Sequence, residues 1–310
     1  MTSSVRRALL ALCALPAAGC AGAQISPAPI AVRADTIALR RTLDAIADAH
    51  HGIVGYVVHN LDSGERLTRR ADETFPTASL IKVPILVALF DLVEKKQIAL
   101  DDRLTVLPID QVAGSGVLQR LHGGAIVTVN DAAWLMIIIS DNTATNLLLD
   151  RVAIRRVWTK MEALGLLHTK VHSKTFQRFT SVAMDSSVKY GLGVTTPGEM
   201  ARLYELLARG QAVSAKADSL MLAMMEQNED DQLMQRYTYG VRAATKTGAV
   251  DAARTECSLF YLQSRVVACA MTKENVDQRY AVDAEAHLTL ARMGEAIVKA
   301  WPPAPAPPSP

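Results

Sequence analysis

The hydrophobic pattern of the chain is strand-like near its two ends and helix-like in its middle. Five segments alternate or run apolar as strands do, two near the N-terminus and three near the C-terminus: 52–60, 64–69, 241–248, 256–262 and 266–272. Residues 34–50 and about 282–300 place apolar side chains on one helical face at either end of this set. We therefore expect both ends of the chain to contribute to one sheet.

The middle of the chain is predicted to be helical throughout. Residues 79–95 are apolar on nearly every side, which is typical of a helix buried in the protein interior. Further helices are predicted at 129–140, 143–153, 154–164, 197–210 and 215–227.

This order of elements predicts an α/β protein with two lobes. The simplest packing is a five-stranded antiparallel sheet flanked by the terminal helices, built from residues 34–73 and 237–301. Residues 74–236 would form a second, all-helical lobe. A cleft between the lobes is the expected place for a functional site.

The two ends of the chain are expected to lie outside this fold. Residues 1–23 have the pattern of an export signal, with Arg6 and Arg7 before a short apolar run, so we expect a periplasmic or secreted protein. Cys20 leaves a lipoprotein open as an alternative. Residues 302–310 form a Pro-rich tail, and no stretch after residue 23 is long and apolar enough to span a membrane.

Composition and charge exclude several classes of protein. The 310 residues include 33 Lys and Arg against 31 Asp and Glu, and the absence of a basic run argues against a nucleic-acid partner. The net charge of +2 comes from Arg6 and Arg7 of the export segment. Four cysteines are too few for a disulfide-built scaffold. We expect a globular monomer.

The first candidate for chemistry is the start of the buried helix. Ser79 and Lys82 lie on one helical face, a single turn apart. Burial of the Lys82 ammonium would lower its pKa and let it act as a base toward a neighbouring hydroxyl. The helix N-terminus would offer N–H groups to an oxyanion. The alternative is that Ser79 only begins the helix and Lys82 extends outward to solvent.

Two polar triplets lie at the ends of predicted elements. The triplet 140–142, Ser-Asp-Asn, follows five apolar residues, so its side chains either need polar partners or cap the next helix. The triplet 246–248, Lys-Thr-Gly, ends a strand predicted at the sheet edge, where glycine allows a backbone or a ligand to approach closely. Each motif alone can arise by chance, but all three in this order and context rarely do.

Together the three motifs resemble the serine β-lactamase and penicillin-binding protein superfamily. Residues 77–84, 140–146 and 196–197 are most similar to class A β-lactamases. The resemblance covers nearly all of the chain after the export segment. It implies the two-lobed fold, an acyl-enzyme mechanism with no metal or cofactor, and a β-lactam or a peptidoglycan peptide as the partner.

The resemblance also implies roles in acylation. Ser79 would attack the carbonyl carbon with Lys82 as base or proton relay, while the N–H groups of Ser79 and Ala249 form the oxyanion hole. Ser140 would pass a proton to the leaving ring nitrogen. Asn142 would orient the amide of the substrate side chain.

The resemblance also implies residues that bind the substrate carboxylate and residues that support the site. Lys246, Thr247 and Gly248 would hold the substrate carboxylate, and Arg254 on the next strand would assist them. Lys246 would further depress the pKa of the lysine on the buried helix. Asn146 is expected to tie down a neighbouring loop.

One residue that the resemblance requires is missing. Class A enzymes carry a glutamate, on a loop before the Thr-Pro helix start, that activates the water which deacylates the serine. Counting back from Pro197 leads to Thr180, and residues 174–181 contain no acid. Asp185 is the nearest carboxylate after this stretch and would serve as the base if the loop is rearranged. The alternative is that Asp185 is a solvated loop residue.

This gap leaves three functions open. The first is a hydrolytic β-lactamase that uses another base, which the overall similarity to class A favours. The second is a D,D-peptidase, or penicillin-binding protein, that acts on peptidoglycan peptides. The third is a non-hydrolytic sensor domain that reports β-lactam by becoming acylated.

Two weaker signals concern a loop and a cysteine pair. The glycines at 114–116 and 123–124 are expected in loops that line the cleft, because no phosphate-binding motif accompanies them. Cys257 and Cys269 would lie opposite each other in a hairpin centred on Gln263. A disulfide and two buried free thiols both fit that position.

Overall fold

The computed structural model describes residues 34–303. Its α-helices are α1 (Thr36–Asp48), α2 (Lys82–Glu94), α3 (Val129–Ile138), α4 (Asn142–Val152), α5 (Ile154–Ala163), α6 (Met184–Tyr190), α7 (Pro197–Ala208), α8 (Ala215–Met225) and α9 (Glu285–Ala300). Its strands are β1 (Ile53–Asn60), β2 (Arg66–Arg69), β3 (Phe75–Pro76), β4 (Arg103–Val106), β5 (Ala125–Thr128), β6 (Lys170–Val171), β7 (Gly193–Thr195), β8 (Ala243–Val250), β9 (Ala253–Tyr261) and β10 (Arg265–Lys273). The predicted export segment with Cys20 and residues 304–310 of the predicted tail lie outside the described residues.

The central sheet is five-stranded and antiparallel, as predicted. Its strand order is β2-β1-β10-β9-β8, so β8 lies at an edge. β9 and β10 form a hairpin in which Cys257 lies opposite Cys269, and Tyr261 opposite Arg265, on either side of Gln263. The two cysteines form a disulfide, which decides between the two alternatives that the sequence leaves open.

Two hydrophobic cores lie on opposite faces of this sheet. Leu43 of α1, Leu290 of α9 and Trp301 pack on one face, where the terminal helices were expected. The larger core on the other face contains residues of α2, α3, α4 and α7. Val57 and Val58 are neighbours on β1 and enter different cores, because successive side chains of a strand point to opposite faces.

The second lobe is not all-helical, and this part of the prediction is wrong. Residues 74–236 contain a three-stranded sheet in the order β3-β7-β6 and a two-stranded sheet of β4 and β5. These strands have two to four residues each. A segment this short shows no hydrophobic period, and its partners are distant along the chain.

Helix α2 carries Lys82 into the protein interior, as predicted. Ten of its 13 residues are buried, and Lys82 is one of them. The 3-10 turn Ala78–Ile81 precedes it, so Ser79 lies in a tight turn rather than in a continuous helix. Ala78 has a φ of 45°, a backbone conformation that residues other than glycine rarely adopt and that is often found at functional sites. No helix within residues 34–303 is long and apolar enough to cross a membrane.

Candidate active site

The first two motifs line a cleft between the second lobe and the edge strand β8, which carries the third motif. The cleft has a volume of about 660 Å³, and Ser79 and Asn142 form part of its wall. Residues 173–176 form a second part, and Ala249 with Tyr280 a third. No described residue that lines the cleft carries a carboxylate. A groove of about 690 Å³ between α1 and α9 contains none of the three motifs.

Lys82 is fully buried beside this cleft and has polar partners. Its Nζ donates to the Ser140 carbonyl at 2.6 Å, to Ser140 Oγ at 3.0 Å and to Asn142 Oδ1 at 2.9 Å. Burial holds the pKa of Lys82 well below its ordinary value, and the charge of Lys246 lowers it further, against an opposing effect of Asp141. The predicted depression of this pKa is confirmed, and extension of Lys82 to solvent is excluded.

Ser79 precedes Lys82 by one turn and lines the cleft. None of the three hydrogen bonds of Lys82 goes to Ser79 Oγ. Direct proton transfer therefore requires the two side chains to approach when substrate binds. Such tightening is common, since catalytic hydrogen bonds are often long before the reactive complex forms.

The Ser-Asp-Asn triplet both caps the next helix and finds polar partners, the two alternatives that the sequence left open. Asp141 caps α4 by accepting from Ala144 N at 2.8 Å, and it also accepts from Val117 N at 2.7 Å and Leu118 N at 2.9 Å. Ser140 has a φ of 56° and directs both its carbonyl and its hydroxyl oxygen to the lysine of α2. Capping thus fixes the triplet while its outer residues contact the candidate base.

The loop 114–116 packs against this triplet and lines the cleft, as predicted. Gly116 has a φ of 104°, and a Cβ there would lie 2.2 Å from the carboxylate of Asp141, so only glycine fits. Asn142 Nδ2 donates to the Ala113 carbonyl at 3.1 Å. The second predicted glycine pair, 123–124, does not line this cleft.

Lys246 is fully buried on β8. Its pKa is lowered to about 8, because burial outweighs the opposing charges of Asp230 and Glu256. Its Nζ donates to the Thr247 carbonyl at 2.9 Å. A second cation therefore lies near Lys82, as the resemblance implies.

Gly248 lets β8 approach the turn that carries Ser79. A Cβ at Gly248 would lie 2.5 Å from the Thr77 carbonyl oxygen, so the predicted close approach of another backbone is confirmed. The next residue, Ala249, lines the cleft together with Ser79. The two residues expected to supply the oxyanion hole thus line the same cleft.

Arg254 is not brought to the cleft surface, in contrast to its predicted role. Its buried guanidinium donates to the Ala253 carbonyl at 2.9 Å, the Arg279 carbonyl at 2.7 Å and the Val250 carbonyl. It also stacks over the Tyr280 ring at 4.6 Å. These carbonyls accept from the two terminal guanidinium nitrogens, while the buried Nε has no partner among the described residues. A contact of the terminal nitrogens with a substrate carboxylate would require Arg254 to leave these carbonyls.

Asn146 ties down the loop before α6, which confirms its predicted structural role. Its Oδ1 accepts from Thr175 N at 2.8 Å, and its Nδ2 donates to the Thr175 carbonyl at 3.1 Å. Thr175 lines the cleft, and its buried hydroxyl has no hydrogen-bond partner among the described residues. No local pattern in the sequence marks Thr175, because its position depends on Asn146 of a distant helix.

Asp185 is not brought to the cleft, and its predicted role as a base has no geometric support. It lies in the first turn of α6 and is exposed. Ser187, two residues later, lines the cleft. Two residues along a helix correspond to about 200° of rotation, so Asp185 faces the opposite way. The sequence could not show this, because it did not predict α6.

Glu256 is a buried acid that motif analysis misses. It accepts from Thr245 Oγ1 and Ser258 Oγ, each at 2.8 Å, and from Met234 N at 2.6 Å. Burial raises its pKa to about 7. Its position within an apolar strand is the one sequence signal that would have identified it.

Known proteins share both the sequence pattern and the fold of this chain. The model of the beta-lactamase enzyme family matches residues 38–301. The chain is 36% identical to beta-lactamase L2 of Stenotrophomonas maltophilia over 104 residues, which is 34% of each protein. The aligned region thus spans about a third of the length of this curated relative.

Two solved structures are similar over most of their length. A beta-lactamase from Sphaerobacter thermophilus is 28% identical with a TM-score of 0.76, and the match covers 86% of this chain and 97% of that one. A mutant of PBP-A, solved as an acyl-enzyme complex with penicillin G, is 25% identical with a TM-score of 0.73. That match covers 86% of this chain and 98% of PBP-A. The two-lobed fold predicted from the sequence is therefore confirmed.

Proposed function

Because the chain belongs to the β-lactamase enzyme family, we propose that it opens the β-lactam ring through an acyl-enzyme on Ser79. The observation that carries this proposal is the arrangement of Ser79 in the cleft wall, one turn from a buried Lys82 of depressed pKa that contacts Ser140. A nucleophile beside a base that is itself held by a third group is typical of an activated serine. The acyl-enzyme of the similar protein PBP-A with penicillin G supports the same chemistry.

Acylation follows from these positions. Ser79 Oγ bonds to the β-lactam carbonyl carbon while its proton passes to neutral Lys82. The N–H groups of Ser79 and Ala249 donate to the developing oxyanion. When the C–N bond of the ring breaks, the nitrogen receives that proton through Ser140 Oγ, which lies 3.0 Å from Lys82 Nζ. Lys82 is then neutral again.

Hydrolysis of the acyl-enzyme is expected to be slow. Attack of water on the ester needs a base, and no described residue lining the cleft carries a carboxylate. Neutral Lys82 is the base that remains beside the ester. The proposal therefore combines ring opening with a long-lived acyl-enzyme.

The cleft without a carboxylate also supports a second candidate function. A D,D-peptidase that acts on peptidoglycan peptides forms the same ester, as does a non-hydrolytic sensor of β-lactams. Both tolerate a stable penicilloyl ester. The similarity to PBP-A is compatible with this alternative.

Two turnover assays decide among these functions. Product from a chromogenic cephalosporin in large excess over protein supports the β-lactamase, and D-alanine released from a peptide ending in D-Ala-D-Ala supports the peptidase. A covalent adduct without either product supports the sensor. Ser79→Ala should abolish all three signals, and activity that survives in this variant overturns the proposal.

We also propose that the protein works as a monomer outside the cytoplasm, in the periplasm or after secretion. The export pattern of residues 1–23 supports this location. The disulfide between Cys257 and Cys269 agrees with an oxidising compartment. A lipoprotein anchored through Cys20 is the alternative, and the mass of the processed N-terminus distinguishes the two.

A further inference from the structure

Asp230 lies against the two residues expected to hold the substrate carboxylate, Lys246 and Thr247, which we call the anion anchor. Thr247 Oγ1 donates to Asp230 Oδ2 at 2.6 Å, a charge-assisted hydrogen bond. A local turn holds Asp230: its N–H donates to Asn228 Oδ1 at 2.9 Å, and its Oδ1 accepts from Gln232 N at 3.3 Å. The backbone of the loop therefore directs this carboxylate toward β8.

The charge of Asp230 also acts on the lysine of the anion anchor. Together with the buried carboxyl of Glu256, it raises the pKa of Lys246 against the effect of burial. Lys82 is a third titratable group near this ammonium, and the charge of Lys246 lowers its pKa. In the free protein Lys246 thus already has an anionic neighbour.

The anion anchor is closed on the side of the cleft. Lys246 and Thr247 are both buried, and the adjoining cleft wall is formed by Ala249, Val250 and Tyr280 instead. The Thr247 hydroxyl has one hydrogen, and Asp230 already accepts it. A substrate carboxylate must therefore displace Asp230 before it can accept from this hydroxyl.

We propose that Asp230 is a specificity-determining residue that occupies the anion anchor and disfavours β-lactams with a free carboxylate beside the ring nitrogen. The inference rests on the acyl-enzyme proposed above. A carboxylate substrate meets the repulsion of Asp230 and replaces its bond to Thr247. An ester of the same β-lactam carries no charge there and does not compete for the anchor.

Two variants separate charge from shape. Asp230→Asn keeps an oxygen that accepts from Thr247 but removes the negative charge. Asp231→Asn is the matched control, because both acids are exposed but the carboxylate of Asp231 accepts from the Gln232 side chain rather than from the anchor. The control removes the same charge one residue away.

The test follows acylation of Ser79 by penicillin G and by its methyl ester, using the intact mass of the full chain. Asp230→Asn should speed the reaction of the free acid by roughly tenfold or more and change that of the ester by less than about threefold. Asp231→Asn should change neither reaction. An unchanged or slower reaction of the free acid in Asp230→Asn, or equal acceleration of both substrates, overturns the role of Asp230 and leaves the acyl-enzyme intact. Absence of any adduct in all three proteins overturns the acyl-enzyme and this inference with it.

Discussion

At Lys82, burial and the charge of Lys246 favour the neutral amine, and the hydrogen-bond partners are compatible with it. They are a carbonyl, a hydroxyl and an amide oxygen, and none is a carboxylate. A neutral amine donates two hydrogens and keeps a lone pair. It can therefore bond to the Ser140 carbonyl and to Asn142 and still accept a proton from a hydroxyl. This is the state that a base needs before acylation begins.

The two buried lysines predict a bell-shaped pH dependence of the acylation rate. The rate should rise with pH on the acidic limb, because Lys82 accepts the Ser79 proton only after losing its own. It should fall above about pH 8, where Lys246 loses the charge that attracts an anionic substrate. Rapid-mixing measurements of acylation across both limbs test this shape.

Lys246→Arg is the control for the basic limb. A guanidinium stays charged throughout this range, so the fall above about pH 8 should disappear while the acidic limb remains. If the basic limb persists at the same pH in this variant, the group that titrates there is not Lys246.

The residues that sequence analysis finds differ in kind from those it misses. Ser79, Lys82 and the polar triplets lie in short motifs at the ends of elements, where residue type and spacing carry the chemistry. The missed residues are Asp230, which accepts from Thr247 across 17 residues of chain, and Thr175, which Asn146 binds across 29. Such contacts depend on how loops fold back, which no local period encodes.

Among the elements, the loop between β6 and α6 is the one expected to determine how fast the proposed acyl-enzyme is hydrolysed. Asn146 fixes its backbone at Thr175. The charged side chains that it contributes to the cleft are those of Lys174 and Arg178, both cationic. Water that enters on this side therefore meets no general base.

Thr175→Glu should supply the missing carboxylate. Thr175 lines the cleft, so we expect a glutamate there to activate water and deacylation to become roughly tenfold faster or more. The decay of the penicilloyl adduct after removal of free penicillin measures the effect. Thr175→Gln has the same size without the base, and equal decay in the two variants would show that only shape matters.

Asp185→Asn should leave turnover within about twofold of the wild type, as surface changes away from a site generally do. The residue is exposed on the far side of α6 from the cleft. Steady-state hydrolysis of a cephalosporin measures this. A tenfold loss would mean that α6 rearranges in the complex and brings Asp185 to the ester.

Element prediction succeeds where the hydrophobic period is long. The five strands of the main sheet and the helices of ten or more residues are predicted to within a few residues at each end. Helix α6 has seven residues, fewer than two full turns, and contains two serines. It is therefore too short and too polar to show a helical period.

At the scale of the whole molecule, the sheet brings both ends of the chain to one site. β1 and β2 come from the N-terminal part, and β8, β9 and β10 from the C-terminal part. Strand patterns at both ends made this arrangement predictable from the sequence. For the contact of β8 with the Ser79 turn, the sequence indicated only that Gly248 would permit a close approach, not which segment would make it.

The disulfide across β9 and β10 should contribute to stability. Replacing Cys257 and Cys269 together by alanine should lower the free energy of unfolding by about 3 kcal/mol, because a loop with a sequence separation of 12 is no longer closed in the unfolded chain. Urea unfolding of both proteins measures the difference. A reductant should lower the midpoint of the wild type and leave the variant unchanged. A wild type that does not respond to the reductant would contradict the bridge.

The most direct test of the proposed mechanism is intact-mass spectrometry after addition of excess penicillin G. The mass of the wild type should increase by one penicillin, peptide mapping should locate the adduct on Ser79, and the adduct should decay slowly. Ser79→Ala should remain unmodified. A wild type that stays unmodified at every time point while penicillin is not consumed, or equal modification of Ser79→Ala, would contradict the mechanism.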